Sequence, residues 1–191
     1  MPIQFVLIMG NMNASKSTRV VTLSRQFKMK GFKVKIFKHA WDTRYDDGNF
    51  ITTHDKVQEP CTPISNTEEI FLNEDYKDAQ VIIIDEGQFF GSDILTSVRR
   101  IVNTDNKHLI VSGLSGDYKM EPFGHMNDCI SMADSVEILK AYCHFCDDII
   151  PCEFTVKISG SKSQVEVGTS ETFYRPCCRK HYMEHCGDIF S

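Results

Sequence analysis

The 191-residue sequence predicts an α/β protein, a mostly parallel sheet covered by helices, followed by a small cysteine-rich C-terminal unit. Three observations predict it. Strand-like and helix-like segments alternate through the first two thirds of the chain. A polar, glycine-led loop joins the first strand to the first helix. Six of the eight cysteines fall from residue 143 onward; Cys152 stands alone, while Cys143, Cys146, Cys177, Cys178 and Cys186 crowd together.

Each element has its own signal. Residues 4–9 form an apolar run closed by Gly10 and read as a buried strand. Residues 17–30 have helical spacing, with Val20, Val21, Leu23 and Phe27 on the apolar side. Residues 32–37 alternate Phe32, Val34 and Ile36 against lysines and read as a second strand. Residues 41–59 are polar and Asp-rich and read as a long loop. Residues 67–73 predict a short helix. Residues 81–84 are β-branched throughout, as in a central parallel strand. Residues 92–102 predict a helix with Ser92 as N-cap, and residues 108–112 another strand. Beyond about Tyr142 the pattern changes to a hairpin over residues 153–167, turning at Ser159-Gly160-Ser161. The expected division is 1–140 and 141–191.

Composition narrows the function. The length allows one domain with a small appendage. Twenty-one basic against 26 acidic residues give a net charge of −5 and a pI near 5.8. That argues against a broad basic face for nucleic acid. The longest apolar runs, 5–9 and 81–84, fall far short of the roughly 18 residues of a membrane span. The first residues lack the basic start of a signal peptide. The expectation is a soluble, cytoplasmic protein with neither nucleic acid nor membrane as partner. Its cysteines are then reduced, and clustered ones bind metal or do chemistry.

Three motifs carry that chemistry. Gly10-Asn11-Met12-Asn13-Ala14-Ser15-Lys16-Ser17 fits the phosphate-binding pattern Gly-x-x-x-x-Gly-Lys-Ser/Thr, with Ser15 in place of the second glycine. It follows a strand and opens a helix, where backbone N–H groups hold phosphate oxygens. Lys16 is placed for the β- and γ-phosphates and Ser17 for Mg²⁺. Second, Asp85 and Glu86 end the strand 81–84, at the carboxyl edge where α/β sheets bind ligands. Asp85 suits Mg²⁺, and Glu86 suits proton acceptance from an attacking hydroxyl. Third, Cys143-x-x-Cys146 and Cys178-x-x-His181 offer two ligand pairs that fill a tetrahedral Zn²⁺ shell, a structural site with no open position. Cys177, His144, His185 and Cys186 compete as ligands; only Cys178 has the two-residue spacing to His181. Softer candidates are Asp42 toward the metal and Arg44 toward phosphate. Tyr118 and Phe123, after the strand 108–112, suit an aromatic substrate.

In this order and at these spacings the motifs resemble the cytosolic-type (type II) thymidine kinases along essentially the whole chain. The match runs through Gly10-Asn11-Met12, Asp42-Thr43-Arg44-Tyr45, Ile84-Asp85-Glu86-Gly87-Gln88-Phe89-Phe90, Pro122-Phe123-Gly124, Ala133-Asp134-Ser135-Val136, Cys143-x-x-Cys146, and Tyr174 ahead of Cys178-Arg179-Lys180-His181. The resemblance implies a P-loop NTPase-type domain plus a zinc-binding domain that carries a lasso loop over the nucleoside. It implies γ-phosphoryl transfer from ATP to the 5′-hydroxyl of thymidine, with Glu86 as general base. Lys16, Ser17 and Asp85 fall on its phosphate and Mg²⁺ positions, and Asp42 and Arg44 on the loop beside them. Met12, Phe89, Leu114, Tyr118, Phe123, Thr155, Val165, Gly168 and Tyr174 correspond to residues around the nucleoside. The family implies a homotetramer inhibited by dTTP. The sequence departs from the family at Ser15, at Asn11 where proline is common, at Ser115 and Met120, and in a shortened stretch near Gly168. Two other readings are a nucleic-acid-stimulated ATPase, because Asp85-Glu86-Gly87-Gln88 looks like a helicase motif, and a kinase-like protein disabled by Ser15.

Overall fold

A computed structural model describes residues 3–42, 48–53, 55–159 and 174–186. In chain order the main elements are β1 (Phe5–Gly10), α1 (Lys16–Met29), β2 (Val34–His39), β3 (Phe50–Thr52), β4 (Gln58–Pro60), β5 (Thr62–Ile64), α2 (Glu74–Asp78), β6 (Val81–Asp85), α3 (Asp93–Arg99), β7 (His108–Leu114) and β8 (Ser135–Leu139). The C-terminal unit adds β9 (Ala141–Tyr142), β10 (Pro151–Cys152), β11 (Phe154–Lys157), β12 (Tyr174–Cys177) and α4 (Arg179–Cys186). Six strands make one sheet in the order β5-β2-β6-β7-β1-β8. Every neighbouring pair in it is parallel.

The inner strands β1, β2, β6 and β7 are buried largely on both faces, which explains their apolar runs. Successive side chains divide between the two faces with period two. Leu7, Ile82, Ile84, Leu109 and Val111 pack against α3 and the short helical turns around it. Ile8, Ile36, Val81, Ile83 and Ile110 pack against Val20 and Val21 of α1. A third cluster joins Ala141, Cys143, Cys152, Val156, Cys177, Tyr182 and Cys186, and it includes Ala14 of the glycine-led loop. Strand β8 is locked beside β1 at its start. Asp134 Oδ2 accepts the Phe5 N–H at 2.7 Å, and the Asp134 N–H donates to the Phe5 carbonyl at 2.9 Å.

Several expectations are corrected. The stretch 41–59 is not all loop, because β3 and β4 pair antiparallel within it. Ile51 reaches the α1 core while its partner Glu59 binds the polar side of α1, so no long apolar run announces either strand. The predicted helix at 67–73 is a 3₁₀ turn at Thr67–Leu72, with α2 following directly. Ser92 makes no side-chain cap bond. Its neighbour Asp93 instead accepts the Thr67 N–H and hydroxyl, both at 2.6 Å, tying α3 to the 3₁₀ turn. After Arg99 the helix widens into a π turn at Arg100–Thr104. Strand β11 pairs with β12, and the second arm of the expected 153–167 hairpin, residues 160–167, lies outside the described residues. Most of the turn Ser159-Gly160-Ser161 lies outside the described residues. Among those residues, no helix is long and apolar enough to cross a membrane.

Glu59 shows how the β3–β4 hairpin is held. It is buried on β4 and accepts hydrogen bonds from Ser24 at 3.0 Å and Arg25 at 3.4 Å, and a short ion pair from Lys28, all on α1. Burial pushes its carboxyl up, but these donors outweigh burial and hold it below the ordinary glutamate value of 4.5. Glu59→Ala is expected to cost about 1.5–3 kcal/mol, the range for bonds to a charged group. A depressed folded pKa gives stability that is complete above the unfolded value and lost as pH falls through the folded one. The stability gap between wild type and variant should therefore be widest near neutral pH and narrow below pH 4.5. Denaturant melts at several pH values read both effects.

Candidate active site and metal centre

The site is built from the carboxyl ends of β1, β2, β6 and β7. Strand β1 ends at Gly10, where a Cβ would collide with the Leu139 carbonyl of β8. Residues 11–15 then turn back into α1. Asn13 and Ser15 both take left-handed backbone, with φ of 61° and 60°. Ser15 thus adopts the conformation that a glycine takes freely, at a cost of about 1–2 kcal/mol for a residue with a Cβ. The loop keeps its shape and the serine carries the strain. The Ser15 carbonyl accepts the Arg19 N–H at 3.0 Å and opens the helix. The N–H groups of a helix's first turn are the physical basis of anion binding. Lys16 Nζ donates to the Gly10 carbonyl at 3.2 Å and the Asn11 carbonyl at 2.7 Å, so its ammonium lies over the loop. Ser17 is half-buried one residue on.

Asp85 ends β6, two strands from β1, with β7 between. At the usual strand spacing that is about 10 Å. Asp85 is 3% exposed and accepts a short hydrogen bond from the Ser112 hydroxyl on β7. Burial, then the adjacent Glu86 charge, pushes its carboxyl up to about 6. A buried carboxylate beside other carboxylates is stabilised by a cation, so the donor set fits Mg²⁺ chemically. Asp42, also buried, pairs with Lys38 Nζ at 3.3 Å. Lys38 stands opposite Asp85 in the β2–β6 register and donates to the Phe50 carbonyl at 2.9 Å.

Glu86 has φ 55° and is 8% exposed. A left-handed glutamate at a strand end is backbone strain of the kind that gathers at functional sites. Its Oε2 accepts from Gln88 Nε2 at 2.5 Å, while Gln88 Oε1 accepts the Leu114 N–H at 3.0 Å. Gln88 therefore orients the Glu86 carboxylate against the end of β7. The fit requires Gly113, where a Cβ would sit 2.6 Å from Gln88 Oε1.

The aromatic candidates form two pairs. Phe89 meets Phe123 edge-on at 5.7 Å, and beyond it lie His39 at 5.7 Å and Trp41 at 6.3 Å. Burial pushes the His39 imidazole below its ordinary value. Tyr118 faces Tyr174 at 6.4 Å, with the Lys157 ammonium within 5.1 Å of one ring and 5.3 Å of the other. The Tyr118 carbonyl accepts the Tyr182 hydroxyl of α4 at 2.7 Å. Thr155 is buried, and its Oγ1 accepts the Met12 N–H at 3.4 Å. Arg44, Val165 and Gly168 lie outside the described residues.

Cys143, Cys146, Cys178 and His181 converge, with their ligand atoms within 4.8 Å of one another. His181 Nδ1 lies 3.4, 3.5 and 3.3 Å from the sulfurs of Cys143, Cys146 and Cys178, and the Cys146 and Cys178 sulfurs are 3.9 Å apart. Tetrahedral zinc with normal bond lengths needs edges of about 3.6 Å for S···N and about 3.8 Å for S···S. The cluster fits that ion. Burial raises the Cys143 thiol, but N–H groups of Cys178 and Phe145 outweigh it and bring it down to about 6, toward the thiolate a metal requires. Cys177 and Cys186 instead face the apolar cluster around Tyr182; His144 meets the Phe145 ring edge-on, and His185 lies tilted against it at 4.5 Å.

Sequence reading missed Lys38, Gln88 and Ser112 as site-shaping residues. Lys38 had a usable signal, a lysine closing an apolar strand four residues before Asp42. Ser112 and Gln88 had none, since their partners are set by register and tertiary fold. The Asn11 side chain points away from the loop, toward the C-terminal unit. Its Oδ1 accepts the Ala141 N–H at 3.1 Å, and its Nδ2 donates to the Phe154 carbonyl at 3.1 Å and approaches the Cys152 sulfur at 3.6 Å.

A parallel sheet whose first strand runs through a glycine-lysine-serine loop into a helix, with carboxylates at a second strand end, is an α/β protein of the P-loop type. Sequence comparison narrows the class. Residues 3–182 match the family described as Thymidine kinase. A thymidine kinase of rabbit fibroma virus (strain Kasza) is 35% identical over 92% of this chain and 94% of its own. Thymidine kinase a of Arabidopsis thaliana is 35% identical over 93% and 74%, and a thymidine kinase of Bacteroides thetaiotaomicron 31% over 95% and 88%. The chain belongs to the thymidine kinase family.

The strain at Ser15 has a measurable sign. Its side chain is exposed, so Ser15→Gly loses little packing. Relief of the left-handed strain exceeds the added freedom of the unfolded chain, and a net gain of about 0.5–1 kcal/mol in unfolding free energy is expected. ATP affinity should stay within threefold, because the loop already holds a glycine's geometry. A calorimetric melt and a nucleotide titration check the two statements. For the metal centre, Cys178→Ser is expected to release one equivalent of zinc by elemental analysis and to lower the melting temperature.

Proposed function

We propose that the protein is an ATP-dependent thymidine kinase that transfers the γ-phosphoryl group of ATP to the 5′-hydroxyl of thymidine, and of deoxyuridine. The observation that carries the reading is the meeting of Lys16, Asp85 and Glu86 at the carboxyl edge of one parallel sheet, in a chain of this family. Phosphoryl transfer demands placement and charge neutralisation more than covalent help from the protein. Residues 10–17 cradle the triphosphate with backbone N–H groups, and Lys16 answers the charge on its outer oxygens. Arg44 is assigned to the same charge. Mg²⁺, when bound, neutralises phosphate oxygens; Ser17, Asp85 and Asp42 are the residues proposed to hold it.

Glu86 takes the proton of the 5′-hydroxyl. Gln88 keeps the carboxylate aimed, and the strained backbone of Glu86 holds it at the strand end. Met12, Phe89, Leu114, Tyr118, Phe123, Thr155, Val165, Gly168 and Tyr174 are assigned to the nucleoside pocket, where the aromatic faces stack on a base and exclude water. Zinc on Cys143, Cys146, Cys178 and His181 takes no part in transfer and holds residues 141–191 as a unit on the 1–140 domain. A cytoplasmic homotetramer with dTTP as feedback inhibitor completes the reading.

The test is a coupled ATP-consumption assay with Mg²⁺ and thymidine, deoxyuridine, deoxycytidine, deoxyguanosine or no nucleoside. Turnover is expected with thymidine and deoxyuridine. Glu86→Gln should reduce kcat by about 10²–10⁴, the usual contribution of a general base. ATP turnover indifferent to nucleoside would move the assignment to an ATPase. A folded, zinc-loaded protein with no turnover would mark a disabled kinase.

A further inference from the structure

We propose that Asn11 is a positioning residue that makes the shape of the nucleotide-binding loop depend on the zinc-held unit. The inference rests on the nucleotide-binding reading of that loop and extends it to a coupling between two sites.

Asn11 is 4% exposed, and its side-chain amide is bonded away from the loop. Its Oδ1 takes the Ala141 N–H of β9, two residues before the ligand Cys143. Its Nδ2 gives a hydrogen to the Phe154 carbonyl of β11, the residue paired with Cys177 beside the ligand Cys178. One amide therefore touches β9, which leads to Cys143, and β11, whose ladder partner β12 leads to Cys178. The segments that carry the two ligand pairs are themselves joined, since the His144 N–H, just after β9, donates to the Pro176 carbonyl of β12 at 2.9 Å.

At its other end Asn11 belongs to the loop. Its carbonyl accepts Lys16 Nζ at 2.7 Å and the Ala14 N–H at 3.4 Å. Two neighbours bind the same unit independently: Ala14 packs into the C-terminal apolar cluster, and the Met12 N–H reaches Thr155 Oγ1. If β9 and β11 loosen, a buried amide loses its partners, and an unsatisfied buried amide is costly. The loop must then shift to rehydrate it, carrying the carbonyl that orients Lys16. Linkage is reciprocal, so nucleotide binding must tighten zinc by the same factor that zinc tightens nucleotide.

The experiment measures zinc affinity of the full chain by competition with a chromophoric chelator, with and without saturating MgADP. Wild type is expected to bind zinc about tenfold more tightly with MgADP, the size of one or two net hydrogen bonds. In Asn11→Ala the shift should fall below twofold while zinc is still bound. In steady state the same variant should raise the KM for ATP about tenfold and leave that for thymidine within twofold. Asn11→Asp keeps an acceptor for the Ala141 N–H but cannot donate to the Phe154 carbonyl; it offers a second folded form, also with a shift below twofold. An equal MgADP effect in wild type and variants, or none in wild type, overturns the proposal. Absence of thymidine turnover with the MgADP–zinc linkage intact would overturn the kinase reading alone. Absence of MgADP binding to wild type would remove both.

Discussion

Strand β1 is the constraint on which the rest of the molecule depends. It is paired in parallel on both sides, with β7 over its whole length and with β8 from Val6 to Gly10. A one-residue slip would exchange its two core faces and move Gly10 away from the Leu139 carbonyl. The Asp134 carboxylate fixes the register from the start of β8, and the paired Arg19 and Glu137 side chains, at 2.8 Å, fix α1 over the same strand. The loop between β1 and α1 is thereby held at both ends. Its left-handed residues are tolerated because the flanking elements leave them no alternative.

The charges at the strand ends follow from that frame. Asp42, Asp85, Glu86 and Lys38 are all buried at one edge. Isolated, such carboxylates would be expensive. Lys38 answers Asp42, the Ser112 hydroxyl answers Asp85, and Gln88 answers Glu86. The upward push on Asp85 shows that the compensation is incomplete. An edge that retains excess negative charge suits a divalent cation carrying a polyphosphate.

Much of this was legible in the sequence. The β-branched run ending in Asp85 and the loop ending in Lys16 and Ser17 carry their chemistry in local order, so a linear reading places them. The two metal-ligand pairs are legible for the same reason, since each spacing is one tight turn. The hairpin of β3 and β4 was hidden because its stability comes from Glu59 reaching across to Ser24, Arg25 and Lys28 on α1. Gln88 was hidden because its meaning depends on Leu114 lying beside it in space. Asn11 was half legible: its place in the loop could be read, but the direction of its side chain required the C-terminal unit.

The pairing of β11 with β12 has a consequence for how this chain can vary. Lys157 stands opposite Tyr174, so the intervening segment is closed by the last pair of a ladder, with a lysine between two tyrosine rings at that base. The entropy of closing such a segment grows only logarithmically, about 0.6 kcal/mol for each doubling of length. The closure term itself therefore changes little with insertions and deletions between those two residues, as long as the base is kept. By closure entropy, length there is a nearly neutral variable, while the ladder beneath it is not.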